Sequence, residues 1–166
     1  FDRSREFTDF WTFSQFIRKN LPPASYIPKI YAVEGQHDQL YHDKDNECTS
    51  FNLAINMGAI QRMPPSMKIG ECNNGCIYAC GWGGEYPEPC DKNAHNILLC
   101  HRSLWFSTPM FPGQTDGNVY AEAKKLHQLG YSQVFSGDNH VQFDCEIDGV
   151  EFHNLGAFSR RDIRLA

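Results

Sequence analysis

No apolar run in this sequence approaches the roughly 20 residues that a membrane-spanning helix needs. The longest, such as Asn96 to Cys100, have the length of single strands. Positive charge is also short: 15 Lys and Arg against 20 Asp and Glu leave a net charge of -5 and a pI near 5.8. That argues against a chain-wide basic footprint for nucleic acid, although a locally basic groove is compatible with the total. An acidic balance suits a site that collects carboxylates around cations. No repeat, low-complexity tract or interdomain linker is visible, and 166 residues with a hydrophobic fraction of 41% read as one domain, 1–166. No signal peptide is visible, and the chain opens at Phe1 without Met, so this silence about targeting decides little.

Seven cysteines is an odd number, so at least one is unpaired or bridges to another chain. Cys72, Cys76, Cys80 and Cys90 lack the paired C-x2-C knuckles of structural zinc sites. The expectation is free thiols in a reducing cytoplasm.

The apolar pattern predicts a helix over Asp9 to Asn20, ended by Leu21-Pro22-Pro23, and a buried strand over Lys29 to Val33. Cys48-Thr49-Ser50 is read as the cap of a helix running to Met57, stopped at Gly58. Met67 to Ile69 and Gly75 to Gly81 read as antiparallel strands across a turn at Glu71 to Asn74. Asn96 to Cys100 is a buried strand ending at His101. Val119 to Leu129 is a helix capped by Gly130, and Gln133 to Ser136 is a strand. A hairpin turns at Asp148-Gly149.

Three of these strands end in polar clusters that contain histidine: Gln36-His37-Asp38, His101, and Asp138-Asn139-His140. In open α/β sheets, ligands gather beyond the carboxyl ends of the strands, where loops from different strands converge. Imidazole and carboxylate together suit divalent transition metals. Two such ions about 3.5–4 Å apart stabilise the attacking and leaving oxygens of a phosphoryl displacement. A lone surface His or Asp is ordinarily just solvated, and His42, His95 and His127 are expected to carry no ligand role. Position after a strand is what separates His37, His101 and His140 from them.

The order Gly35-Gln36-His37-Asp38, then His101, then Gly137-Asp138-Asn139-His140 resembles the later motifs of the calcineurin-like metallophosphoesterases: GNH(D/E), a lone His, and GHxH. Asn154-Leu155-Gly156-Ala157 with Arg160 is similar to the NPGS-x-x-R element that often follows. Phe1-Asp2-Arg3 looks like the tail of the GDxFDR element of the nuclease branch that includes SbcD-type exonucleases. The resemblance runs from Phe1 to Arg160. The pair GQHD and GDNH is similar to a variant branch of phage and bacterial genomes.

The resemblance implies an α/β fold of two packed mixed β-sheets flanked by helices, the αββα sandwich, with the Asp148-Gly149 hairpin in the second sheet. It implies a phosphodiesterase, nuclease-like, that acts by in-line attack of a metal-bound hydroxide. Two divalent metal ions are expected, Mn2+ first, with Mg2+, Fe2+ or Zn2+ as alternatives. Gln36, His101 and Asp138 match ligands of the second metal, and His140 a ligand of the first. His37 matches the general acid, and Arg160 is placed to touch phosphate. Two departures stand out: Gln36 is one methylene longer than the usual Asn, and Asp138 puts a carboxylate where the family has an imidazole, which favours harder ions such as Mn2+ or Mg2+. The family's D-x-H and GD motifs are absent, so the chain is expected to be its C-terminal two thirds and incomplete alone. An upstream segment or a second chain would supply them. The expected partners are a DNA or RNA phosphodiester and no membrane, in the cytoplasm of a bacterial or phage-infected cell. The alternative from another class is a catalytically impaired scaffold of the same fold that binds a protein partner.

Overall fold

The computed structural model describes residues 29–38, 49–64, 66–68 and 75–156, together with Gln15 and Lys19. Two compact units divide the chain, Phe1–Met63 and Pro64–Ala166. The chain is α/β. Among the described residues no helix is long and apolar enough to cross a membrane.

In the first unit, β1 (Tyr31–Ala32) pairs in parallel with β2 (Gln61–Arg62). The sequence predicts a buried strand over 29–33, but β1 is only two residues long and half-buried, because its described partner strand is equally short and exposed. Helix α1 (Ser50–Asn56) starts where the Thr49 hydroxyl accepts the Asn52 N–H at 3.2 Å, satisfying an amide that the first turn leaves without an intrahelical partner. It ends at Met57, with Gly58 following at φ 72°. Its inward face buries Phe51 and Ala54. Of the helix expected over 9–20, Gln15 and Lys19 are described, and both are helical.

The second unit carries a six-stranded mixed sheet: β3 (Ser66–Lys68), β4 (Gly75–Cys80), β5 (His95–Arg102), β6 (Gln133–Asp138), β7 (Phe143–Ile147) and β8 (Val150–Asn154). Their spatial order is β3-β4-β5-β6-β8-β7. The inner four run parallel, and β3 and β7 close the edges antiparallel. The β7–β8 turn falls at Asp148-Gly149, both at positive φ (51° and 76°), as a type I′ hairpin turn requires. This hairpin joins the same sheet as β5 and β6 and not a second one, which corrects the sequence expectation. β8 runs between β6 and β7 and buries Val150, Phe152 and Asn154 on one face, whereas β7 exposes Asp144 and Glu146, charges that suit an edge strand.

Helix α2 (Val119–Leu129) links β5 to β6. The Asn118 side chain accepts the Tyr120 N–H at 3.0 Å to begin it. Gly130 ends it at φ 93°, where a Cβ would come within 2.7 Å of the Lys92 backbone, so only glycine fits. Val119, Ala123 and Leu126 line the inner stripe of α2 and pack in one core with Tyr78, Leu98, Val134 and Phe152. Burying each such Leu, Val or Phe stabilises by about 1.5–3 kcal/mol. This packing fixes where the parallel strands end.

Candidate functional site at the strand ends

Strands β5 and β6 finish together, in the register His101↔Gly137 and Arg102↔Asp138. That brings His101 Nε2 to 3.7 Å from Asp138 Oδ1, with the carboxylate side chain only 7% exposed and the imidazole 26%. Gly137 packs beside the imidazole: a Cβ there would rest in ordinary contact with it, at 3.5 Å. Asp138 sits at φ 90°, a conformation L-residues avoid. Such strain costs on the order of 1–3 kcal/mol and persists only where the surroundings over-determine it.

Those surroundings are a polar clasp. The Ser103 hydroxyl donates to Asp138 Oδ2. Asn139 is buried; its amide donates to the Leu104 carbonyl at 2.8 Å, and its Oδ1 accepts the Val141 N–H at 2.9 Å. Asn154, also buried, donates to the carbonyls of Asn139 and Val141 at 2.8 and 2.7 Å, while its Oδ1 accepts the Ser136 hydroxyl at 3.0 Å. The loop leaving β6 is thus held to β5 and to β8. His140 rides on it, exposed to solvent. Beneath it Gly156 sits at φ 71°, where a side chain is strained and a Cβ would lie tightly, 3.1 Å from the His140 carbonyl. His95, at the other end of β5, bonds the Ser132 hydroxyl at 2.9 Å.

Gln36 and His37 belong to the first unit. They lie on a 3₁₀ turn, Gln36–Asp38, after β1. The Asp38 carboxylate accepts the Gly35 N–H at 2.8 Å and closes that turn on itself. Arg62 of β2 pairs with Glu34 at 2.6 Å and donates to Asn52 at 2.9 Å, tying β1, β2 and α1 together. Arg160 and His42 lie outside the described residues.

Beside the histidine–aspartate pair, Arg102 lies over the Tyr86 ring at 4.9 Å and donates to the Gly84 carbonyl. Lys125 also lies 4.9 Å from that ring, and the Tyr86 hydroxyl donates to Glu122 at 2.9 Å. Burial, with the Cys100 thiol and the Glu122 carboxylate nearby, pushes the Tyr86 phenol well above its ordinary 10.0. Burial likewise holds the Cys100 thiol protonated far above the usual thiol range. Cys76, Cys80, Cys90, Cys100 and Cys145 are free thiols; Cys48 and Cys72 lie outside the described residues.

Compared with known proteins, the chain matches no family model, no curated protein and no solved structure.

The site therefore rests on its own residues. Two donors each about 2.1 Å from one ion stand at most about 4.2 Å apart, so the 3.7 Å between His101 and Asp138 is a separation one cation can span. Ser103 on the far oxygen of Asp138 is the kind of partner that orients a ligating carboxylate. Among the described residues no group of three or more His, Cys, Asp or Glu side chains is arranged to hold a metal. The strand ends thus bring His101 and Asp138 together, with His140 two residues further along the same loop. Sequence reasoning missed Ser103, Asn139 and Asn154 as its support, since a hydroxyl or amide that bonds a group at the neighbouring strand of the sheet, far away in sequence, has no spacing signature.

Proposed function

We propose that the protein is a metal-dependent phosphodiesterase of the calcineurin-like metallophosphoesterase type, acting on nucleic-acid phosphodiesters, and that it carries the αββα architecture of that family. The observation that supports this reading is the approach of His101 to Asp138 at 3.7 Å across the ends of two adjacent parallel strands. These are the two positions that the resemblance pairs as ligands of one metal. The strained backbone at Asp138 supports it further, since strain of this kind clusters at functional sites.

Divalent cations, Mn2+ first, would polarise phosphate oxygens and make hydroxide available near neutral pH. His101 and Asp138 would hold one of them, Ser103 would keep the carboxylate aimed, and the Asn139–Asn154 clasp would resist collapse of the β6 loop as charge is exchanged. His140 is the ligand assigned to the other ion. The roles of Gln36, as a ligand, His37, as proton donor to the leaving oxygen, and Arg160, on phosphate, rest on the resemblance alone.

The test is hydrolysis of bis-p-nitrophenyl phosphate and single-stranded DNA in Mn2+. It compares this chain, the reading frame with any residues upstream of Phe1, and the variants His101→Ala, Asp138→Asn and His37→Ala. The expectation is turnover by a chain that includes D-x-H and GD motifs, little by these 166 residues, and losses of about a hundredfold or more in each variant. Inactivity of the longer chain in Mn2+, Mg2+, Zn2+ and Fe2+ would favour the protein-binding scaffold.

A further inference from the structure

Among the described residues six large apolar side chains are exposed, and five of them gather at one end of the sheet. Met110 and Phe111 lie on the loop after β5, Tyr120 on the first turn of α2, Val141 after β6 and Leu155 after β8. β5, β6 and β8 run parallel, so these five lie at the carboxyl ends of the strands, on the side of the His101–Asp138 pair. An exposed apolar cluster of this kind marks a surface that meets a partner. A cavity of about 250 Å3 lies on the same side, lined among others by Tyr86, Arg102, Ser103 and Glu122. Its polar groups already hold one another or backbone: Arg102 bonds the Gly84 carbonyl, and the Tyr86 hydroxyl bonds Glu122. The exposed rings are the freer groups.

Tyr120 is the ring best placed to receive a flat ligand. The Trp105 N–H donates to the Gly117 carbonyl at 2.9 Å, and the Val119 N–H to the Trp105 carbonyl at 3.1 Å, which pins the start of α2 to the segment leaving β5. Phe106 and Tyr120 are thereby brought together, stacked with centroids 5.8 Å apart and planes inclined by 25°. Phe106 stacks in turn on Phe143 of β7, at 6.3 Å and 27°. Both spacings are those of offset aromatic pairs. The ladder Phe143–Phe106–Tyr120 holds its outermost ring in place, and that ring is 57% exposed, with no further ring against it among the described residues.

The ring and its surroundings narrow the ligand. A purely aliphatic surface suits any apolar partner, whereas a fixed ladder with one open π-face suits a planar one. An unpaired nucleobase offers such a face whatever its identity. Lys124 is exposed one turn further along the same face of α2, a cation within reach of the phosphate of a stacked nucleotide. The chain leaving β6 runs from Asp138 through His140 and Val141 into Phe143, so the ladder and the strand-end pair share one loop.

We propose that Tyr120 is a stacking platform for an unpaired base of single-stranded nucleic acid. The assignment deepens the phosphodiesterase reading and rests on it for the word substrate, but the binding itself needs neither metal nor turnover. The test is fluorescence anisotropy of a fluorescein-labelled single-stranded oligodeoxynucleotide titrated with the chain in EDTA, beside the same strand in a duplex. The single strand should bind at least about fivefold more tightly than the duplex, whose bases are already stacked on one another. One lysine is not a basic groove, so affinity should fall only about threefold between about 50 and 200 mM salt. Tyr120→Leu should weaken single-strand binding at least about fivefold, and Tyr120→Phe should retain it. Circular dichroism would confirm that both variants fold. Parent-like binding by Tyr120→Leu would overturn the platform, as would a duplex bound as tightly as the single strand. Binding lost in Val141→Ser or Leu155→Ser but kept in Tyr120→Leu would overturn it in favour of an apolar docking surface for a protein. A loss of about a hundredfold or more over the same salt range would assign the binding to phosphate contacts instead, and no single-strand binding at millimolar concentration would end the proposal. Tyr120-dependent binding with an inactive longer chain would leave the platform standing while the hydrolytic reading fell; hydrolysis of single-stranded DNA with an unchanged KM in Tyr120→Leu would do the reverse.

Discussion

Two buried polar clusters border the same strand ends and differ in one respect. The Ser136–Asn139–Asn154 network closes on itself: both Asn139 and Asn154 use side-chain donor and acceptor on fixed partners. The Arg102 cluster stays open, with a buried Nε that has no partner among the described residues and a cavity beside it. A closed network holds a backbone shape, whereas the open one leaves a buried donor unsatisfied, at a cost of about 1–3 kcal/mol. An orphan atom alone does not decide this, since Asn96 Oδ1 is also unpaired at the far end of β5 but does not line this cavity. Orphan and cavity together mark the open cluster.

The largest way to break the contrast is Asn154→Ala. It removes three hydrogen bonds, two of them buried, and strands the Ser136 hydroxyl and two carbonyls. Urea denaturation should show a loss of about 3 kcal/mol. A loss under about 1 kcal/mol would mean that the closed network does not hold the loop.

Asp138 sharpens the comparison, because it lies between the two clusters. Asp138→Val should cost about 2 kcal/mol: a β-branched residue tolerates φ 90° poorly, and the Ser103 hydroxyl loses its acceptor. Asp138→Asn keeps an acceptor and a residue that accepts positive φ, so its stability should stay within about 0.5 kcal/mol of the parent. Equal losses in both variants would show that charge, not backbone shape, governs this position.

A third expectation concerns pH. Burial raises the Cys100 thiol above its ordinary 9.0 and the Tyr86 phenol above 10.0. The unfolded chain therefore releases these protons first as pH rises, and the folded state binds more protons. Stability should be flat with respect to these groups below pH 9 and should fall above it, by up to about 1.4 kcal/mol per pH unit for each group. Cys100→Ala should shallow that alkaline slope, and an unchanged slope would remove the thiol from the account. The smallest effect is that of Arg102→Gln, expected to cost about 1 kcal/mol, since losing the bond to the Gly84 carbonyl and the contact with the Tyr86 ring is partly offset by removal of an unpaired buried donor.

Much of the second unit was legible in the sequence. The apolar run over 96–100, the Gly130 cap of α2 and the Asp148-Gly149 turn are local signals, and local physics decides them. The position of β8 between β6 and β7 was not legible, because hairpin pairing is written in the turn and sheet order is not. Of the candidate site, the sequence places His101 and Asp138 just beyond strands, whereas both lie in the last two residues of β5 and β6, which run further than their apolar cores; only the register of two strands separated by α2 shows that they meet. The lining of the cavity runs from Trp82 to Glu122 across several loops, a juxtaposition no short motif carries. In the first unit, β1 proved shorter than its apolar run, since β-branched residues do not make a strand where the partner offers only two rungs.

The central claim is that the ends of β5 and β6 form a divalent-cation site, and Mn2+ titration followed by amide NMR tests it most directly. Paramagnetic broadening should begin at His101 to Ser103 and Gly137 to His140, and Asp138→Asn should abolish it there while the fold persists. Broadening that starts instead at exposed carboxylates such as Asp144 and Glu146, unchanged by Asp138→Asn, would contradict the account.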